Sequence, residues 1–282
     1  MIALPLLMTD YNDLYGWQST DDLSSDVYEK DAREYLGPFF EQHRDRVFFS
    51  RQLEVQNEDR YFHWVTNRAI RDLESEGLIK SEVRKLPRAG TIKLLWHRNY
   101  RYYKREASRL IALVDEYANP NISEFIGLQG EIMVLDAFAR YQFVTQGREM
   151  NSFGSEIWKE TEHDLDFIFQ RDGICYGVEV KNTLGYMDYE EFQIKIRLCR
   201  HLGLRPVFVV RMFPRSWMHE LITAGGFGLI FKYQLYPWGQ RELGRKIAHE
   251  LGLPIDAPRA IGSGTMTRFL RWHEGLVRDT TV

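Results

Sequence analysis

Apolar positions divide this chain into stretches with helical spacing and stretches that alternate. Over residues 61–76, Val65, Ala69, Ile70 and Leu73 recur at helical spacing and Trp64 adds to that face, which predicts an amphipathic helix. Gly77 follows as its C-cap residue. Residues 78–83 alternate like a strand, 87–90 form a Pro/Gly turn, and 91–96 read as the returning strand. Upstream, residues 32–43 suit a helix interrupted at Gly37-Pro38, and Val47-Phe48-Phe49 is a short apolar run before Ser50, a candidate cap for a short helix. Downstream, Ala107, Leu110, Ile111 and Val114 mark one face of a connecting helix over 104–117. Asn119-Pro120-Asn121 suggests a boundary, and Ser123 a cap for a long helix over 124–141.

Beyond that helix, strands and helices alternate. Strands are expected near 143–145, 164–169, 176–181, 206–210 and 227–231, with helices over 189–202, 216–223 and 241–251. This order predicts an α/β fold, a mixed sheet flanked by helices, preceded by a mainly helical domain. The expected division is an acidic arm over 1–30, a first domain over 31–118 and a second over 119–282.

Composition adds little to fold class but bounds the setting. An apolar fraction of 44% and a charged fraction of 27% are those of a globular protein. Two cysteines, Cys175 and Cys199, make no disulfide framework and suggest a reducing compartment. Apolar runs fall short of a membrane span, and the first residues lack the basic start and cleavage site of a signal peptide. A cytoplasmic protein is expected.

Charge changes the picture more. The net charge is −3, yet residues 1–40 hold eight acids and two bases, whereas 83–105 hold eight bases and no acid. A partner responds to that local field rather than to the total. The bases of 83–105 include Arg84, Lys85, Arg88, Lys93, Arg98 and Arg101, interleaved with Trp96, His97, Tyr100, Tyr102 and Tyr103. Such a stretch can neutralise phosphates and stack on bases or sugars. The preceding helix is expected to expose His63, Thr66, Asn67, Arg68 and Arg71, types suited to groove edges and phosphates. DNA, duplex or branched, is the expected partner.

The candidate chemistry lies further on. Asp166 opens the apolar triplet Phe167-Ile168-Phe169, a polar turn follows, and Glu179-Val180-Lys181 closes the next alternating run. Residues two apart in a strand share a face, so Glu179 and Lys181 point together while Val178 and Val180 pack. Hairpin pairing brings Asp164 and Asp166 beside Glu179. Adjacent carboxylates favour a compensating cation, and a hard divalent ion suits oxygen ligands. Asp164 competes with Asp166 as first ligand; the apolar strand starts directly after Asp166, which favours Asp166. The plain alternative is a solvated strand face with Asp166 paired to Lys181.

This acid, followed one strand later by acid-x-Lys, resembles the PD-(D/E)xK superfamily of restriction-endonuclease-like nucleases over about residues 123–235. The proline that often precedes the first acid is replaced here by Leu165. The resemblance implies a magnesium-dependent (or manganese-dependent) deoxyribonuclease with Asp166 and Glu179 as metal ligands and Lys181 positioning the nucleophile. It adds Glu131, on the helix before the sheet, as a further acid or ligand. It also points to Gln193 and Lys195 on the following helix, with Gln193 shaping the site. Over about 31–100, a helix running into Glu-Gly-Leu-Ile and a basic hairpin resembles a winged helix-turn-helix domain. Double-strand cutting would further call for a homodimer or a protein partner. The rival expectation is a non-catalytic DNA-binding regulator or assembly factor with a nuclease-like fold.

Overall fold

The computed structural model describes residues 25–280, so most of the expected acidic arm lies outside the described residues. Residues 25–30 of that arm open a helix instead. The chain forms α1 (Ser25–Gln42), β1 (Val47–Phe49), α2 (Ser50–Gln56), α3 (His63–Ser75), β2 (Ile79–Leu86), β3 (Gly90–His97), α4 (Tyr103–Tyr117) and α5 (Pro120–Arg140). It continues through β4 (Val144–Met150), β5 (Ser152–Phe153), β6 (Glu156–Ile157), β7 (Leu165–Arg171), β8 (Ile174–Lys181), α6 (Tyr189–His201), β9 (Arg205–Val210), α7 (Arg215–Thr223) and β10 (Phe227–Ile230). Then come β11 (Gln234–Leu235), α8 (Arg241–Leu251), β12 (Ile255–Asp256) and α9 (Ser263–Thr280). It is a mixed α/β protein. Among the described residues no helix is long and apolar enough to cross a membrane.

The chain groups into two compact units. Among the described residues, one contains those up to Ser123 and regains Glu242–Pro254; the other contains Glu124–Arg241 and those from Ile255 on. In the first unit, β1, β3 and β2 form an antiparallel sheet in that order. Ala32, Leu36 and Phe40 of α1 pack with Val65, Ala69, Ile70 and Leu73 of α3, together with Phe48 and Leu95 from the sheet. That packing carries α1 through Gly37-Pro38, which the sequence marks as a break: burial of a whole face outweighs the backbone hydrogen bond lost at Pro38. Gln52 and Gln56 each donate a side-chain Nε2–H to the Leu251 carbonyl, at 2.9 and 2.7 Å, tying α8 into this unit.

The second unit is built on a five-stranded sheet of order β10-β9-β8-β7-β4. β4, β7 and β8 are antiparallel neighbours, and β8, β9 and β10 run parallel. α5 starts at Pro120 rather than after Ser123. Asn119 Oδ1 accepts the Asn121 N–H at 3.1 Å and proline suits a first helical position, so Asn119 caps this helix. α5 and α9 cover one face of the sheet. Phe138 and Phe269 close on Phe143, Phe167, Phe169, Tyr176 and Val178, all buried, and full burial of one such ring contributes about 1.5–3 kcal/mol. α9 lies in the tail that the sequence pattern leaves unassigned. His273 holds it in place: the Tyr176 hydroxyl donates to Nδ1 at 2.6 Å and Nε2–H donates to Asp172 Oδ2 at 2.9 Å.

The other face is covered by α6, through Ile194, Leu198 and Cys199 against Ile168. Two features of the β7–β8 hairpin allow this. Its loop is Asp172-Gly173, with φ of 50° and 76°, the positive values a two-residue turn needs to match strand twist. Gly177 then leaves room for the helix, since a Cβ there would lie 2.6 Å from Cys199 Sγ and 2.8 Å from Leu165 Cδ1. Gly177→Val is expected to destabilise the protein by about 1–3 kcal/mol through overpacking. Urea denaturation measures this, and Cys199→Ala in the same chain should restore part of the loss.

Candidate functional site

The α6 face of β7 and β8 ends in an ionic cluster. The pairing of β7 with β8 runs from Arg171 opposite Ile174 to Phe167 opposite Val178; one step further, Asp166 lies opposite Glu179. Asp166 Oδ2 accepts the Val180 backbone N–H at 2.6 Å. Val178 and Val180 are buried on the opposite face, as their alternation with Glu179 and Lys181 requires.

Glu179 is 2% exposed, and it is answered by two amines. Lys181 Nζ lies 3.1 Å from Oε1, and Lys195 Nζ lies 2.6 Å from Oε2. The Lys195 approach is a close charge contact without hydrogen-bond alignment, because Oε2 has no aligned donor. Lys195 is itself buried and donates to the Asp164 carbonyl. Lys181 Nζ reaches Glu191 Oε1 at 2.9 Å as well. α6 supplies these groups because Glu191 and Lys195 are four residues apart and share one helix face. Asp188 starts that helix by accepting the Glu190 and Glu191 N–H groups at 2.8 and 3.3 Å.

Electrostatics follow from this crowding. Burial first, and then the neighbouring Glu179 charge, push the Asp166 carboxyl up to about 8, against the opposing pull of the Val180 N–H and the two lysines. Burial pulls the Lys181 amine down, but Glu179, Glu191 and Asp166 together hold it above its ordinary range, so it stays protonated.

The expected site residues do not all converge here. Asp166, Glu179 and Lys181 do. Asp164 stands outside the pair: its carboxylate is half exposed and 3.9 Å from Lys195 Nζ. Glu131 on α5 is committed to Arg148, with Oε2 3.1 Å from Nη2. The Arg148 guanidinium sits over the Phe167 ring at 5.2 Å, on the sheet face away from Asp166. Gln193 points away from the cluster, donating to Glu220 Oε2 at 2.5 Å beside the Tyr189 hydroxyl. It lies two residues from Glu191 and from Lys195, about 200° around the helix. Glu191 is the group that sequence reasoning missed. Its signal is the i, i+4 spacing to Lys195.

Among the described residues no cluster of three or more His, Cys, Asp or Glu side chains forms a ready metal centre. Two facing carboxylates are nonetheless a donor set that suits a hard cation which keeps several waters.

The expected nucleic-acid surface is only partly as the sequence suggests. Asn67 is buried, as is Thr66, so neither is presented on α3. The pattern cannot reveal this because α3 packs on both α1 and α2, and polar residues beside the apolar stripe are covered too. Arg68 and Arg71 are exposed; Arg68 reaches Glu29 Oε2 at 3.4 Å and stacks 5.0 Å over Trp64. Lys93 is neutralised by Glu74 Oε2 at 2.6 Å. Arg84 contacts Glu82 at 2.9 Å but stays half exposed. Lys85, Arg88, Arg98 and Arg101 are exposed. Of the interleaved aromatics, Trp96 and His97 are buried, and Trp96 stacks on Tyr103 at 4.1 Å. Tyr102, 81% exposed, is the ring most open to a ligand.

Because the folded state raises Asp166 from 3.8 to about 8, the group's contribution to stability is full below the unfolded value. It is lost as pH rises through the folded value. Asp166→Asn, which does not titrate, is expected to match the wild type near pH 4. At pH 8 it should be more stable by at least about 2 kcal/mol, as read by denaturation at the two pH values. Comparisons of the chain with protein-family models, curated proteins and solved structures find no match, so the reading of this site rests on its own residues.

Proposed function

We propose that this chain is a metal-dependent DNA endonuclease that hydrolyses phosphodiester bonds at Asp166, Glu179 and Lys181. One observation carries the reading: two carboxylates on adjacent antiparallel strands lie opposite each other, with Lys181 on the same sheet face. Asp166 and Glu179 would hold Mg2+ or Mn2+, which when bound polarises a phosphoryl oxygen and lowers the pKa of its water. Lys181, being protonated, acts as a donor. It orients the attacking water and stabilises charge growing on the phosphoryl oxygens, and is not the base that takes the proton. In-line attack would leave a 5′-phosphate. With Glu131 bound to Arg148 and Gln193 to Glu220, the chemistry in this reading belongs to Asp166, Glu179 and Lys181.

The first unit holds DNA in the same proposal. The order helix, strand, helix, helix and basic hairpin supports a winged-helix-like reading, and Arg71, Arg84, Lys85, Arg88, Arg98 and Arg101 supply exposed positive charge. A second reading is favoured by one observation: both Glu179 oxygens already face lysines. A closed ionic centre of that kind supports a non-catalytic DNA-binding factor with a nuclease-like fold.

Cleavage separates the two. Purified protein with Mg2+ is expected to nick or cut DNA, and Asp166→Ala or Lys181→Ala to lower the rate at least about a hundredfold while DNA binding persists. Equal cutting by either variant would remove the site assignment. Neutralising Arg84, Lys85 and Arg88 together is expected to weaken duplex binding and to lower the slope of log K against log salt by about 2–3. A salt titration that leaves the slope unchanged would move the DNA surface elsewhere.

A further inference from the structure

Trp238 is 48% exposed, yet two guanidinium groups are held at its ring. Arg241 Cζ lies 4.6 Å and Arg259 Cζ 4.8 Å from the centroid. The backbone explains the meeting. β11 and β12 run parallel and end with Leu235 beside Asp256, and three residues beyond each strand the chain reaches Trp238 and Arg259. The 3₁₀ turn Trp238–Gln240 then returns Arg241 to the same ring. Just before β11, Lys232 Nζ sits 5.0 Å from the Tyr233 ring centroid.

Lys232, Arg241 and Arg259 are held at aromatic rings and not at carboxylates. Arg140, Arg148 and Arg171 each pair with a carboxylate. Among the described residues, no carboxylate is joined to Arg241, Arg259 or Lys232. Guanidinium groups that meet no carboxylate and lie over an exposed indole suit a ligand that is both anionic and flat-faced. A small carboxylate would use the arginines and leave the indole idle, and a paired duplex hides its base faces. A phosphodiester strand with unpaired bases uses both, by charge at the phosphates and by stacking on the guanidinium planes and on the part of the ring they leave open.

The cluster is also tied to the end of β8, the strand that carries Glu179 and Lys181. Asn182, the residue after Lys181, donates Nδ2–H to the Leu235 carbonyl and accepts the Leu235 N–H at Oδ1, each at 2.7 Å. Leu235 is therefore fixed to the strand end that carries Lys181. Trp238, three residues on, can lie no further than about 11 Å from it, Cα to Cα.

We propose that Trp238, Arg241 and Arg259 form a platform for an unpaired segment of DNA leading to Asp166 and Glu179. The inference rests on the reading of that pair as a phosphodiesterase site, and it names the substrate class as DNA with a single-stranded stretch. The full chain, without metal, is titrated against labelled oligothymidylate, a blunt duplex and oligouridylate. Trp238→Ala is expected to weaken oligothymidylate binding about tenfold or more, with duplex binding unchanged within about twofold. Trp238→Phe should keep most of the affinity. Arg241→Ala with Arg259→Ala should lower the single-strand salt slope by about 1.4. Oligothymidylate binding unaffected by Trp238→Ala, or an equal loss on duplex, overturns the platform, and tenfold tighter oligouridylate binding overturns its assignment to DNA. A chain that binds through Trp238 but cuts nothing with Mg2+ keeps the platform and removes the nuclease reading. A chain that cuts, while Trp238→Ala binds as wild type, does the reverse.

Discussion

The second unit is organised around a carboxylate that has been taken out of water. Glu179 is buried within the sheet, and a buried charge is tolerated only where opposite charge answers it. Lys181 answers from its own strand and Lys195 from α6. That second partner requires α6 to lie close to the sheet, which in turn requires the bare backbone of Gly177 and the cap at Asp188. Asp166 completes the arrangement from the neighbouring strand, held at its edge by the Val180 N–H. Packing and electrostatics are thus one problem here: the helix that buries Ile194 and Leu198 also delivers the ammonium group that Glu179 needs.

Much of this is legible from the chain because it is local. Alternation in residues 176–181 and the Asp-Gly turn fix both the hairpin and the side on which Glu179 and Lys181 fall. Helical phase is equally local, and it separates Gln193 from Lys195: spacing two apart divides faces in a helix where it unites them in a strand. What escapes the sequence depends on distant partners. The burial of Asn67 depends on α1 and α2 closing over α3. The neutralisation of Lys93 depends on Glu74 arriving from another element. α9 carries its core contacts through Met266, Phe269 and the polar His273, and a buried histidine bonded to Tyr176 and Asp172 leaves no periodic trace. The meeting of Trp238 with Arg259 depends on a parallel pairing across an intervening helix.

The two units use positive charge differently. In the first, bases are spread along α3, a hairpin and the turn after it, with Arg68, Lys93 and Arg84 already balanced by Glu29, Glu74 and Glu82. A field of this kind is long in range, weakened by salt and tolerant of single losses. In the second, Lys195 is buried and Lys181 half-buried, and both are committed to Glu179, so their effect is short in range and specific to geometry. One surface can attract a polyanion, and the other can act only on a group placed against it.

The path of the chain carries a consequence for how the two units can be inherited or separated. α8 is supplied to the first unit by a detour: the chain leaves the second unit at Arg241, offers the Leu251 carbonyl to Gln52 and Gln56, and returns at Ile255. A proteolytic nick or genetic truncation near Ser123 therefore yields an N-terminal fragment that has lost a helix and a C-terminal fragment that carries one belonging elsewhere. The units are joined by three covalent crossings, so no single cut parts them cleanly, and one near Ser123 leaves Gln52 and Gln56 on a fragment without the carbonyl to which they donate.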